Sequence, residues 1–493
     1  MKNKLNMLNK MKWLLTCAVL IVATSCKKAL DINTDPNKAL NATPQLVLPA
    51  AQVELGLTIG NTFDFVGSMW AQYWTGGHGV STSLLEYYTM QSVDVESGWT
   101  RAYARAMKDF NYLTKSEEPI YSGIAKICSA YEFQMLTDLF GDIPMADAMK
   151  GDEGVFTPTF NTTQEVYDAL IPLIDEGITE VQSTDPGIAT PGADDLMYGG
   201  DLDKWIAFAN TLKLKVLIRR GDYAAAKTLV QSGVPFIDAE TDNAQISWAE
   251  TSQNTNPIWA RFQARTGIEM YYVATTTIID KLEALSDPRI DFLFKKPSKP
   301  AANSPHKGVI AGDVNTDPQY LPPNYSGTDV ERRANFSQPS ALVFGPTIPT
   351  YFMTAWESKF LQAEALIRNG DNADALFEEA VQLSFDHLGA GSATAYLATL
   401  GFSGSSMDDQ LDILAIQKWI SMTSSQMAES WLETLRFNRP GHEIFTSGTY
   451  TSPSLNSLGA FKFPTSFVYP TQEVALNSNT PSRTVTDKRF WDN

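Results

Sequence analysis

Four histidines and three cysteines are the whole supply of this chain for nucleophilic, redox or soft-metal chemistry, and their spacing organises none of it. His78, His306, His387 and His442 stand far apart, with no HExxH pair and no other metal-ligand spacing. No GxSxG elbow and no GxxxxGK[ST] loop occurs, and "GGHGVS" (76–81) lacks both the last glycine and the preceding strand of a phosphate-binding loop. "DINTDPN" (31–37) begins like a calcium loop, but Pro36 stands where the turn needs glycine and Ala42 where the bidentate glutamate belongs, so it reads as an extended tether. The 56 acidic residues could supply carboxylate pairs for glycoside hydrolysis in many combinations, and abundance singles out none. No catalytic residue, metal or cofactor is expected.

Cys26 is the cysteine with chemistry to do. It ends "VATSC", after four lysines (Lys2, Lys4, Lys10, Lys12) and the apolar run Trp13 to Ala23, which is the pattern of a charged region, an apolar region and a small-residue cleavage site. At ~1.5 Å per residue that run makes a helix of about 16 Å, too short for a hydrocarbon core of about 30 Å, so it exports the chain instead of anchoring it. The stretch resembles a bacterial lipobox, which implies cleavage before Cys26, a diacylglycerol on its sulfur and an acylated new amino terminus. Three acyl chains, at ~0.8 kcal/mol per buried methylene, hold a protein on a membrane durably. Cys17 lies inside the run and would leave too short an apolar region. Residues 1–25 therefore form the signal and 26–493 the mature protein, expected as one interwoven domain.

Loss of residues 1–25 takes the formal charge from −18 to −22, since they carry four lysines and no acid. Such a surface excludes nucleic acid as a partner. Cys128 is then the only thiol besides the acylated one. Ile124, Cys128, Tyr131 and Met135 recur at helical spacing, which places that thiol in a core.

Helical periodicity dominates the chain. Trp205, Phe208, Ala209, Leu212 and Val216 lie on one face of a helix that Gly221 stops, and a second helix over "ESKFLQAEALIRNGD" ends at Gly370, with Glu364 set to pair Arg368. The two endings are near copies. "LIRRGDYAAA" (217–226) and "LIRNGDNADA" (366–375) agree at seven of ten positions, each with an Asp placed to cap the following helix and small residues that let backbones approach. Ala373, Leu376, Phe377, Ala380, Val381 and Ser384 line the face of that next helix. This is tetratricopeptide-type hairpin chemistry without the tandem 34-residue period, so the fold is expected to be mainly α, with helical hairpins forming a right-handed scaffold interrupted by long irregular insertions. Leu217 and Leu366 occupy matching core positions, each costing roughly 2–5 kcal/mol on truncation to Ala. The chief insertion is 295–350, which holds nine of the 26 prolines.

Several segments, in order, resemble signatures of the SusD/RagB family: "LDINTDPN", "LTDLFGDIPMADAM" (136–149), "GDLDKWIAFANTLKLKVLIR" (200–219), "IIDKLEALSDPRIDFLF" (278–294), "ESKFLQAEALIRNGD" (357–371), "QKWISMTSSQMAESWLETLRFNRPG" (417–441) and "FVYPTQEVALNSN" (467–479). The chain departs from that pattern in lacking an arginine before "YP", and "CKKALD" lacks the acidic run that marks export to the outer face. The resemblance implies an outer-membrane, lipid-anchored, surface-facing protein that binds an oligosaccharide and passes it to a TonB-dependent SusC-like transporter, without catalysis. A peptide-binding member of the family is the alternative within it. A secreted glycoside hydrolase and a structural envelope lipoprotein are the alternatives outside it.

Sugar binding calls for aromatic faces beside amides and charges in irregular chain. Trp70, Tyr73, Trp74 and His78 lie beside glycines and form one candidate platform, although a spacing of four also suits a core face. Tyr325, Arg332, Arg333 and Asn335 belong to the proline-rich insertion and form a second group, with Trp259, Arg261 and Tyr271 a weaker third. Trp205, Trp419 and Trp431 sit on periodic helices and belong to the core.

Overall fold

The computed structural model describes residues 42–76, 84–251, 254–266, 272–299, 304–312, 334–423, 425–453 and 455–492; Cys26 and the segment before it lie outside these. Residues 44–493 make one compact unit. Among the described residues no helix is long and apolar enough to cross a membrane.

Eight helices build the scaffold as four antiparallel hairpins: α1 (Pro119–Phe140) with α2 (Thr163–Val181), α3 (Leu202–Arg219) with α4 (Tyr223–Gln231), α5 (Ala355–Ile367) with α6 (Asp374–Leu388), and α7 (Met407–Ser421) with α8 (Met427–Arg436). Each start has a local cause. Pro119 opens α1 at a position whose N–H is unneeded, while Thr162 and Glu165 close a reciprocal capping box on α2. Asp201, Thr354 and Ser406 accept backbone N–H bonds at the heads of α3, α5 and α7. Where α1 crosses α2, a Cβ on Gly123 would fall 2.6 Å from the Gly177 carbonyl, so the absent side chain permits the approach.

The two sequence copies become two identical helix endings. After α3, Gly221 N–H donates to the Ile218 carbonyl at 3.0 Å and Asp222 N–H to Leu217 at 2.9 Å; after α5, Gly370 donates to Ile367 at 2.9 Å and Asp371 to Leu366 at 3.0 Å. Both glycines hold the left-handed backbone, with φ of 78° and 74°, that this double bond requires. The expected capping by the aspartates does not occur. Asp222 pairs instead with Arg220 at 2.9 Å and Asp371 with Lys227 at 2.6 Å, because the turn places each carboxylate beside a cation and not over the next helix's first amides. The Asp371–Lys227 pair joins the two endings, as does Asn369 donating to the Tyr223 carbonyl at 2.9 Å. Leu217 is buried as expected, whereas Leu366 is only half-buried.

A network of buried charge runs between the hairpins. Lys215 of α3 meets Glu357 of α5 at 2.7 Å, Arg219 reaches Asp138 of α1 and both Glu429 and Glu433 of α8, and Lys418 of α7 meets Glu433 at 2.7 Å. Arg436 bridges Glu433 at 2.6 Å and Glu364 at 2.5 Å, and Glu364 also holds Arg368 at 2.7 Å, the pair its i, i+4 spacing predicts. Burial pushes the Glu433 carboxyl up, but the charges of Arg436, Lys418 and Arg219 outweigh it and hold that group well below the usual carboxylate range. The carboxy-terminal segment closes over this layer: Trp491 Nε1–H donates to Asp138 at 2.9 Å, Phe467 N–H to Leu139 at 2.7 Å, and the Tyr469 hydroxyl to the Asp142 carbonyl at 2.6 Å.

The "SDPRID" segment is a second clamp. Arg289, wholly buried, spans Asp287 at 2.6 Å, Ser384 of α6 and Ser421 of α7 at 3.0 Å each, and Gln417 at 2.5 Å, fixing the chain after the Thr276–Ala284 helix onto the third and fourth hairpins.

Candidate functional site

Three short antiparallel ladders lie outside the helical scaffold among the described residues: β1 (Trp74–Gly76) with β3 (Tyr272–Ala274), β2 (Ala244–Ile246) with β6 (Thr350–Met353), and β4 (Phe294–Lys295) with β5 (Gln338–Pro339). The first and third are joined. Val309 N–H donates to the Ala274 carbonyl at 3.0 Å, Thr276 N–H to Val309 at 2.9 Å, Ala274 N–H to Ser337 at 2.8 Å and Ser337 N–H to Lys307 at 2.8 Å. Val273, Val309 and Phe336 make a small buried cluster beneath them. Gly308 is required there, since a Cβ would lie 2.3 Å from the Thr275 carbonyl oxygen.

This platform gathers the ends of the irregular segments that the sequence singles out. Gly76 pairs across from Tyr272, and the buried carboxylate of Glu86 accepts from the Gly76 N–H at 3.1 Å and from the Thr75 hydroxyl at 2.6 Å. Gly312 N–H reaches the same hydroxyl at 3.3 Å. Ser298 and Lys299 N–H groups both donate to the Ala334 carbonyl at 3.0 Å. The described residues that flank 77–83, 267–271, 300–303 and 313–333 are thus tied into one body by a buried acid and a continuous backbone ladder.

The candidate residues separate on it. Trp70, Tyr73 and Trp74 are in the core and offer no stacking face, which corrects the first platform. Gly67 decides this: a Cβ there would fall 2.4 Å from Ala428 Cα, so the Asp64–Trp70 helix lies against α8 backbone to backbone. The Trp70 ring is carried between Trp431 and Phe467, with centroids at 4.9 and 5.4 Å, and its Nε1–H donates to the Leu85 carbonyl at 3.0 Å. Tyr73 stacks on Trp419 at 5.5 Å and its hydroxyl donates to the Trp419 carbonyl at 2.5 Å, while Trp74 Nε1–H donates to Ser68 Oγ at 3.0 Å. Every polar handle of the three rings is satisfied inside the protein.

Trp259 and Asn335 are half-buried, and the Trp259 ring lies 5.4 Å from that of Phe344. Arg261 places its guanidinium 4.1 Å over the Phe65 ring and donates to the Asn61 carbonyl at 3.1 Å, so it is committed to the fold. His78, Tyr271, Tyr325, Arg332 and Arg333 lie outside the described residues. Trp205, Trp419 and Trp431 are buried, as their helical positions imply, and so is Cys128, whose thiol burial pushes well above the usual range.

Sequence reasoning missed two supports of the platform. Gln72 takes a left-handed φ of 56° and its amide bonds Tyr88, Thr277 and Thr451, pinning the turn between the Asp64–Trp70 helix and β1. Glu86 is the other. Neither belongs to a periodic or motif pattern, and only the convergence of distant segments gives them meaning.

Catalytic geometry does not emerge among the described residues. No group of three His, Cys, Asp or Glu side chains there could hold a metal. His306, His387 and His442 each rest on a carboxylate, at 2.9, 2.6 and 2.8 Å. What the described residues offer is a hydrogen-bonded base that carries the half-buried Asn335, with the half-buried Trp259 against Phe344.

Comparison with known proteins gives three findings. A family model named SusD-like, described as starch-binding and associating with the outer membrane, matches residues 36–470. A chitin-binding SusD homologue from Flavobacterium johnsoniae superposes with a TM-score of 0.72 at 20% identity, over 90% of this chain and 98% of that one. A SusD/RagB family protein from Bacteroides thetaiotaomicron superposes with a TM-score of 0.68 at 22% identity, over 89% and 95% of the two chains. At these identities the likeness shows the fold, a tetratricopeptide-like helical scaffold. A search of curated protein sequences found no match.

Proposed function

The chain belongs to the SusD-like family of starch-binding proteins that associate with the outer membrane, and we propose from that membership that it binds a neutral oligosaccharide and passes it, without hydrolysing it, to a TonB-dependent SusC-like transporter. The observation that carries this reading is the family match over residues 36–470, on a chain in which described residues flanking the irregular segments share one platform. The chitin-binding homologue of the same fold supports a glycan as the ligand class. Lipid attachment at Cys26 would hold the protein at the outer membrane, facing the cell surface, beside its transporter. Asn335 at the platform, Trp259 on the Pro257–Thr266 helix, and His78, Tyr325, Arg332 and Arg333 in the segments between described residues are the proposed ligand contacts. Aromatic faces would take the C–H faces of sugar rings and the amide and guanidinium groups their hydroxyls.

Calorimetry of the purified protein against malto- and chito-oligosaccharides, acidic glycans and peptides tests the reading. Saturable heat with a neutral oligosaccharide, and no reducing sugar released on long incubation, is the expected result. Peptide binding with silent neutral glycans would transfer the protein to the peptide-binding alternative, and sugar release by pure protein would make it an enzyme.

A further inference from the structure

A cavity of about 580 Å³ opens between the Thr276–Ala284 helix, the Thr394–Leu400 helix, α7 and the loop that follows α8. It shares no lining residue with the platform described above, and its size falls within the ~300–1,000 Å³ of typical ligand pockets. Ala284, Leu285, Leu400, Ile413, Ile416 and Ile444 make its walls; Ala284 is exposed and the other five are half-buried.

Most of the polar lining is already committed; the Ser286 hydroxyl, at the exposed rim, and Lys281 are what remain. Gln417 accepts from Arg289 at 2.5 Å and donates to the Tyr396 hydroxyl at 2.7 Å. Asp412 pairs with Arg439 at 2.6 Å and His442 at 2.8 Å, partners it shares with Asp408, which meets Arg439 at 2.7 Å. The Thr449 and Thr399 hydroxyls donate to the carbonyls of Ile444 and Tyr396, both at 2.7 Å. Lys281 alone brings an unmatched charge to the lining: no ion pair is made to it among the described residues, and burial by itself holds its ammonium below the usual lysine range.

That inventory discriminates between ligands. A neutral sugar would bring many hydroxyls to a wall that has almost no free partner for them, and each left unpaired costs about 1–3 kcal/mol. A cation would meet Lys281 with like charge. An apolar body carrying one anionic group matches both the walls and the lysine. We propose that this cavity is a binding site for a small amphiphilic monocarboxylate, its hydrocarbon body on the isoleucine and leucine walls and its carboxylate on Lys281.

Octanoate, 1-octanol and octylamine, each well below its aggregation limit, separate the two parts of the claim by isothermal calorimetry on the purified protein. Octanoate should bind saturably and at least tenfold more tightly than octanol, with octylamine weaker still. Lys281→Gln should lower octanoate affinity at least tenfold while leaving octanol unchanged, and Lys281→Arg should restore it. Ala284→Trp, at an exposed position that leaves the core untouched, should fill the cavity and abolish binding of all three. Absence of saturable octanoate binding, equal affinity for octanoate and octanol, or an Ala284→Trp protein that still binds octanoate would overturn the site. Because the platform shares no residue with this cavity, oligosaccharide binding should be unchanged in each variant, so failure here leaves the glycan reading standing.

Discussion

Asp64 closes the amino end of α8 from another helix, accepting the Ala428 N–H at 2.9 Å, and it does so fully buried. Desolvation is the larger influence, with repulsion from Glu429 behind it, and together they lift its carboxyl from 3.8 to about 7 despite the backbone N–H bonds. The folded state therefore holds a proton that the unfolded chain releases between pH 3.8 and about 7, so this group favours folding increasingly as pH falls through that window and opposes it most above pH 7. Asp64→Asn keeps the acceptor and removes the charge. It should stabilise the protein at pH 8 by roughly 1–3 kcal/mol, the relief from burying an anion being offset in part by the new amide's own donors, and should match wild type near pH 4. Urea unfolding of both proteins at the two pH values checks this, and an Asn variant less stable at pH 8 would show that the bonds to the anion outweigh its desolvation. At the same scale, the candidate site was partly hidden in the sequence. The spacing of Trp70 and Trp74 fits a loop platform and a helical face equally, and what separates them is Gly67 meeting Ala428, a contact across 361 positions that no local pattern carries.

At the scale of elements, the helix endings were the most legible part of the chain. A glycine in left-handed backbone, an Asp after it and small residues beyond are a local instruction, and the structure repeats it bond for bond after α3 and α5. Gly221→Ala and Gly370→Ala should each cost about 1 kcal/mol or more, since both glycines sit at positive φ. Leu217→Ala should cost roughly 2–4 kcal/mol and Leu366→Ala clearly less, because only the first is buried; equal losses in thermal melts would contradict the packing. The hairpins α1/α2 and α7/α8 carry no copy of the signature, which is why the sequence shows two hairpins and the structure four. The buried charges were illegible for a different reason. No local pattern marks Lys215, Arg219, Glu429 and Glu433 as buried, and five helices (α1, α3, α5, α7 and α8) bring the network together. Arg436→Met should therefore cost about 3–5 kcal/mol by removing a buried cation that Glu364 and Glu433 share, leaving each carboxylate with fewer partners (Arg368 for the first, Lys418 and Arg219 for the second), far more than a surface pair would. Since Glu433 is held below its ordinary range, its contribution is present above about pH 4.5 and fades as pH falls further, so the gap between wild type and Arg436→Met should narrow in acid.

For the whole molecule, anchoring and recognition should be separable. Cys26→Ser should move the protein from the membrane fraction to the soluble one while leaving ligand affinity unchanged, because the platform is built entirely from residues after position 70. The choice of ligand then rests on the charge of the body that carries the platform. A chain with a formal charge of −18, which cleavage before Cys26 would take to −22, repels polyanions over a Debye length of about 8 Å at physiological salt, and Arg332 and Arg333 could oppose that field only locally. The edges of the three ladders are two to four residues long, too short to recruit the extended backbone of a peptide as an added strand. A neutral oligosaccharide meets neither obstacle, and its binding should be almost independent of ionic strength. Titrations at low and high sodium chloride should give the same affinity for the neutral glycan within about twofold, whereas any acidic glycan that binds should do so more weakly as the salt is lowered, since screening is what permits its approach. Trp259→Ala should weaken the neutral glycan by roughly 1–2 kcal/mol, the worth of one stacked ring, without shifting the melting midpoint by more than a half-buried side chain allows. An acidic glycan that tightens at low salt would place a basic patch at the site and make that charge, not the aromatic and amide groups, the basis of recognition.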